Sequence, residues 1–274
     1  MQRLPWLPIT IIAIMVFMAV FAPYLTEYSP TAQSLIRRLR PPFWVEGGSM
    51  DHPLGTDQFG RDVFARLLYG ARISLIVVGL SLLVGGGVGL FLGILSGFVG
   101  GRLDAFLMRL VDAAFTFPAI LFALLLAVTM GQGLDTLIIA ISLLLWANFA
   151  RVIRGEVLAL KQRDFVALAR VHGCSPLRIM ATHILPNVMN TFMVLATLNI
   201  GVVIVAEASL SFLGAGVPPP TPAWGLMVAE GRGRITSAWW LSLFPGLAIT
   251  LVVLAFNLFG DWLRDRLDPK LRQL

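Results

Sequence analysis

Charge is what this sequence has least of. Of 274 residues only 13% are Asp, Glu, Lys or Arg, against 57% hydrophobic, and mean hydropathy is +0.83. A soluble domain carries about 25% charged residues, so this composition excludes a soluble fold and makes the bilayer the solvent. Lysine is nearly missing: Lys161 and Lys270 stand beside 19 Arg. Lys-rich nucleic-acid tails are therefore absent. The net charge of +6 reads as basic loops facing a cytoplasm, with membrane lipids and not nucleic acid as the surroundings. Cysteine is reduced to Cys174, which rules out an internal disulfide and argues against a cysteine metal cluster. His172, Cys174 and His183 offer two imidazoles and a thiol without a fourth ligand, a poor structural metal site. His172 is expected to pack on a helix face instead.

Motifs are missing too. No Gly-Lys pair occurs, so the G-x-x-x-x-G-K-[ST] loop that cradles nucleotide phosphates is absent, and so is H-E-x-x-H. The chain cannot hydrolyse ATP by the P-loop route. No series of acids crosses the apolar runs, and no inverted repeat is visible, which leaves a stand-alone secondary transporter or channel poorly supported. No catalytic constellation lies inside the runs, so a membrane-embedded enzyme finds no support either.

What is present is a set of long apolar runs: Leu7 to Leu25, Ile73 to Val99, Leu103 to Met130, Leu134 to Ala150, Val188 to Phe212 and Trp239 to Phe259. Each is near the length that crosses a bilayer, and none alternates as a barrel strand would. The reading is an all-α membrane protein with six transmembrane helices. The first run follows Arg3, and Pro23 beside Ala22 disfavours signal cleavage, so it is read as a retained span. Thr26 to Arg72 is polar, with Pro30, Pro41, Pro42 and Pro53 making its first half irregular. Within it, Asp57 is expected to cap a surface helix that carries Phe64, Leu67 and Leu68 on one face and Arg61 and Arg66 elsewhere. This divides the chain into residues 1–72, a first span with an extracytoplasmic interfacial segment, and residues 73–274, the transmembrane domain.

Several residues inside the runs carry expectations. Gly85, Gly89, Gly93, Gly97 and Gly101 recur every four residues and form a ridge without side chains; it serves either tight static packing or a sliding face. Arg109 and Asp112 are spaced to pair on one helix face. Pro118 should kink its span. Asn199 and Asn257 are expected to bond between helices. Glu207 is the one acid well inside a run; it either lines a path as a gate or makes a structural hydrogen bond. The Pro-, Gly- and Trp-rich stretch after Phe212 suits an interfacial loop with aromatic anchors.

Six spans put both termini on one side. The basic residues divide thirteen to eight. The larger set holds Arg3, Arg102, Arg109, Arg151, Arg154, Lys161, Arg163, Arg170, Arg178, Arg264, Arg266, Lys270 and Arg272. The smaller holds Arg37, Arg38, Arg40, Arg61, Arg66, Arg72, Arg232 and Arg234. The bias favours cytoplasmic termini.

The stretch DFVALARVHGCSPLRIMATHILPN, from Asp164 to Asn187, is too polar to be a span. Phe165, Leu168, Ala169 and His172 recur at helical spacing, Gly173 breaks the pattern, and Ser175-Pro176 opens a second helix with Leu177, Met180 and Ile184 on one face. Two short helices around a glycine hinge look built to be gripped from outside the membrane.

This element resembles the cytoplasmic EAA loop of ABC importer permeases, with Gly173 and the ending Ile184-Leu185-Pro186. HPLGTDQFGRDVFARLLYGARISL, EASLSFLGAGVPPPTPAWGLMVAEGR and FPGLAITLVVLAFNLFGDWLRDRLDPKLR are similar to the second permease subunit of dipeptide, oligopeptide and nickel importers. The likeness covers nearly the whole chain from His52. It implies a type I permease core in the inner membrane and a coupling loop over about residues 155–187. Its implied partners are a homologous second permease, two ATPase subunits that bind ATP and Mg, and an extracytoplasmic binding protein. It implies short peptides as cargo, with nickel or a nickel chelate as the alternative. No cofactor is implied on this chain. Asp164, Phe165, Val166, Ala167, Leu168, Ala169, Arg170 and Gly173 would form the coupling element. The chain departs from the motif at Ala167-Leu168-Ala169, where Glu-Ala-Ala is usual. Asp164 or Arg170 is left as the polar contact, with apolar docking through Phe165, Val166 and Leu168.

Overall fold

A computed structural model describes residues 4–267. Arg3, Lys270 and Arg272 of the charge count lie outside the described residues. Five helices are long and apolar enough to cross a membrane, and there are six if a bent pair counts as one span. In chain order, α1 is Trp6–Leu25 and α2 is Val63–Ser81, which runs through a π-helical turn at Leu82–Gly86 into α3, Gly87–Val99. The bent pair is α4, Gly101–Thr116, and α5, Ala119–Met130; α6 is Leu134–Leu160. A short α7, Asp164–Val171, precedes α8, Pro176–Ile179, which passes a second π turn at Met180–Ile184 and continues as α9, Leu185–Phe212. Short α10, Trp224–Gly231, and long α11, Trp240–Leu267, complete the described chain. The all-α expectation holds, and no strand occurs among the described residues.

The glycine ridge is a close-packing device. An added Cβ at Gly97 would lie 2.8 Å from Val157 Cβ, at Gly93 2.8 Å from the carbonyl oxygen of Ala150, and at Gly85 2.6 Å from that of Ser142. Bare backbone therefore lets the Gly85–Gly97 face seat directly on α6, and of the two expected uses the geometry supports tight packing. Gly101 is no part of the ridge: it faces open space and has a φ of +61°, which serves the turn between α3 and α4.

Four expectations need correction here. Pro118 does more than kink its span: α4 and α5 meet at 87°. Proline pushes the preceding residue out of the helical region, and Phe117 is extended at φ −84°, ψ 131°. Arg109 does not hold Asp112. Arg151 of α6 does, at 2.5 Å, because Val111 packs against Ala147 and Ala150 and so brings Asp112 beside Arg151. Helix α2 begins at Val63 and not at a membrane-surface helix, so the expected division at residue 72 falls inside one uninterrupted helix. Its cap is Asp62, which accepts from Ala65 N at 2.6 Å. Asp57 instead accepts from the amides of Phe59 and Arg61 at 2.8 and 3.0 Å, closing the turn that leads into the helix.

Tryptophan placement also differs. Trp224 is no interfacial anchor: it is fully buried, and its indole donates to Leu67 O at 2.9 Å. Gly70 makes room for it, since a Cβ there would lie 2.6 Å from the ring. Trp240 is buried as well and donates to Thr56 O at 3.2 Å. The loop after Phe212 thus turns inward and closes the main core, which α1, α2, α5, α6, α9, α10 and α11 share.

Candidate functional site

Helix α7 projects at the end of the bundle where α3 and α6 finish. Arg163 is extended before it, and Asp164 supplies the favourable acid of its first turn. Its C-terminus is closed by a Schellman arrangement: Gly173 N donates to Arg170 O at 2.9 Å and Cys174 N to Ala169 O at 3.0 Å. Gly173 takes the left-handed φ of +73° this requires. The expected hinge is therefore a hydrogen-bonded cap. His172 does not pack on a helix face; it is exposed, and its Nδ1 lies 2.9 Å from Leu168 O.

The two faces of α7 differ sharply. Val166 and Ala169 are buried and seat the helix on a small separate core with Ile94, Phe98, Ile153, Val157, Ile179, Ile184 and Val188. Asp164, Ala167 and Arg170 are exposed. Phe165, Leu168 and Val171 are 39%, 58% and 83% exposed. The free apolar surface therefore consists of Phe165, Leu168 and Val171. Val166, expected to dock a partner, is used up inside. Val171 was missed, although the three-residue spacing from Phe165 through Leu168 points to it. The second helix of the element is not separate but the root of the α8–α9 span, with Ile179 and Ile184 inward and Leu177 facing out.

Polar side chains tie α7 to its base. The guanidinium of Arg170 lies 5.7 Å and the ammonium of Lys161 5.8 Å from the Phe98 ring centroid, and Lys161 Nζ donates to Phe98 O at 2.5 Å. Beneath them Arg154 holds Asp104 through two bonds of 2.5 and 2.6 Å, fastening α6 to α4.

Glu207 is fully buried in α9. Ser74 Oγ of α2 donates to its Oε2 at 3.2 Å, and Ser211 Oγ donates to its Oε1 at 3.0 Å. Of its two expected uses, the interhelical hydrogen bond is the one this geometry supports. A cleft of about 390 Å³ opens between the α4–α5 bend, α6 and α9, and Glu207 is not among its walls. Asn199 is in that wall and bonds Leu195 O of its own helix at 2.8 Å, not a neighbouring helix as expected. Asn257 makes no interhelical hydrogen bond among the described residues; its side-chain amide oxygen fills the space that a Cβ at Gly201 would take, at 2.8 Å.

The opposite end holds a cluster that the sequence reading did not anticipate. Arg61 and Arg66 are buried, and both reach Asp57 and Glu230: Arg61 Nε to Asp57 at 2.5 Å, Arg66 Nη1 to Asp57 at 2.6 Å, and the two guanidiniums to Glu230 at 2.9 and 2.7 Å. His52 Nδ1 lies 2.8 Å from Asp62. The expected surface arginines are thus internal, because the 26–62 segment and α10 together enclose them. The signal available was the spacing of Asp57 and Arg61 beside Arg66; Glu230 is 164 residues further on.

Comparisons with known proteins bear on this architecture. Residues 89–273 match the family described as binding-protein-dependent transport system inner membrane component. The chain belongs to that family. Residues 3–42 match the N-terminal TM domain of oligopeptide transport permease C. The permease is 43% identical over 259 residues to the di/tripeptide transport system permease protein DppC of Pseudomonas aeruginosa, covering 94% of this chain and 86% of that one. It is 43% identical to the dipeptide transport system permease protein DppC of Escherichia coli, over 96% and 87% of the two chains. The oligopeptide transport system permease protein OppC of Bacillus subtilis is 39% identical over 99% and 87%. In fold the permease is similar to a chain from an inward-facing structure of the MetNI methionine ABC transporter, with a TM-score of 0.60 and 18% identity over 74% and 96%. It is a multi-pass inner-membrane transport component with an ABC importer fold.

Proposed function

We propose that the permease forms half of the translocation pathway of an ATP-driven importer of short peptides, and that α7 is the helix through which ATPase subunits drive it. The observation that carries this reading is the free apolar face of Phe165, Leu168 and Val171 on a capped helix with its own small core. A helix face of that kind docks in an apolar groove on a partner. Asp164 and Arg170 supply polar contacts at its edges in place of the acid that Ala167 lacks, and Ala169 and Val166 seat it. Gly173 keeps the helix short by ending it in the left-handed region. Glu207 holds α9 to α2 while they move together.

The relatives named for dipeptide, di/tripeptide and oligopeptide transport support peptide cargo. The assembly then comprises a homologous second permease, two ATPase subunits that bind ATP and Mg, and an extracytoplasmic binding protein. The termini and α7 face the cytoplasm, and the 26–62 segment with α10 faces outward, in keeping with the excess of basic residues on the inner side. Gentle detergent extraction should bring down the second permease and both ATPases. Leu168→Asp should leave the protein in the membrane and abolish uptake. A lone, active homo-oligomer would overturn the importer reading, and normal uptake by Leu168→Asp would overturn the docking face.

A further inference from the structure

The cleft between the α4–α5 bend, α6 and α9 has polar side chains where a bilayer-embedded wall has reason to have none. Its lining is largely apolar, with Ile120, Leu144 and Val202 typical, yet it includes Asn148, Asn199 and Ser209. Asn148 is half-buried and has no hydrogen-bond partner among the described residues. Asn199 is 94% buried by its 6% exposure; one amide hydrogen bonds Leu195 O, and its carbonyl oxygen takes none. Asn148 lies within the apolar run Leu134 to Ala150 and Asn199 within Val188 to Phe212, and both line the cleft. An amide left unpaired within such a run is costly, because no water replaces the lost bonds.

We propose that Asn148 and Asn199 form a substrate-contact site that hydrogen bonds the main-chain amides of a passing peptide. The assignment rests on the peptide-import reading. Each asparagine side chain offers both a donor and an acceptor, which matches the peptide group and no particular side chain. That suits a pathway that must pass many sequences. The size of the cleft argues for a peptide and against a helix of the second permease. About 390 Å³ lies within the range of small-molecule sites, whereas a helix is about 10 Å across with its side chains and would not enter. The 87° break at Phe117-Pro118 sets α5 at an angle to α4, and Phe115 before it and Ala119, Ile120 and Ala123 after it form one wall of the cleft.

The test uses the complete importer in liposomes, supplied with its binding protein and a labelled dipeptide. Asn148→Leu and Asn199→Leu keep nearly the same volume and remove the amide. Each should lower uptake at saturating peptide by about two- to tenfold, the weight of one neutral hydrogen bond. Co-purification of the second permease and ATP hydrolysis stimulated by the loaded binding protein should remain at the unsubstituted level. Asn148→Gln, which retains the amide, should recover part of the uptake. Unchanged uptake in both leucine variants would overturn the site. So would loss of the second permease from the complex, which would make the asparagines an interface between permeases. An unsubstituted importer that responds to its binding protein but carries no peptide would overturn the peptide reading itself.

Discussion

At one end of the bundle Arg61 and Arg66 lie buried between Asp57 and Glu230, sealed in by α10 and the 26–62 segment. At the other end, α7 rests on apolar contacts, and the charges beside it, Arg154 and Asp104, remain partly exposed. Both ends join the same long helices, but they resist displacement differently. A buried ion cluster has one good geometry; pulling one partner away leaves a desolvated charge. Apolar contacts are non-directional, and a single partly exposed ion pair holds less than a sealed four-residue cluster, so the α7 end can shift at smaller cost. The sealed end is suited to remain a fixed cap while the α7 end receives movement from outside the membrane.

That contrast can be broken by measurement, beginning with the largest expected effect. Glu230→Ala should cost about 3–5 kcal/mol, seen as a clear fall in the thermal midpoint of the detergent-solubilised permease by tryptophan fluorescence; an unchanged midpoint would mean the cluster is not the clamp described. Gly97→Leu should follow at about 1–3 kcal/mol, because the new side chain meets Val157. Gly173→Ala should cost about 1–2 kcal/mol, the strain of a left-handed residue with a Cβ, detectable as faster proteolysis between α7 and α8. Arg154→Ala, which removes a bidentate but partly exposed pair, should cost about 1–2 kcal/mol; a loss equal to that of Glu230→Ala would erase the difference between the two ends. Smallest on stability is Leu168→Asp, within about 0.5 kcal/mol as a surface change. Its effect on uptake should nevertheless be complete, and that inversion separates a docking surface from a structural one.

Much of this was legible in the residues. Apolar runs of bilayer length have few solutions, and an all-helical set of five spans, six with the bent pair counted as one, followed from them. The four-residue glycine period located the face that meets α6, since any side chain there would hold the helices apart. Ser175-Pro176 marked a helix start, with the Ser175 side chain accepting from Arg178 N at 3.3 Å. The candidate coupling helix was visible from its periodicity, but its inner and outer faces were not: Val166 and Leu168 are equally apolar, and only the position of Phe98, Ile153 and Ile179 determines which of them is covered.

The same limit explains the larger misses. Helical periods and caps are set by neighbours a few residues away, so composition and spacing alone were enough to establish an all-helical membrane protein and the end of α7 before Gly173. Pairings across the fold are not local. Arg66 finds Glu230 across 164 residues of sequence, Asp112 takes Arg151 instead of Arg109, and Asn148 and Asn199 line one cleft that the bend at Pro118 helps to wall. In each case the partner depends on where a distant helix comes to rest, and packing, not pattern, sets that.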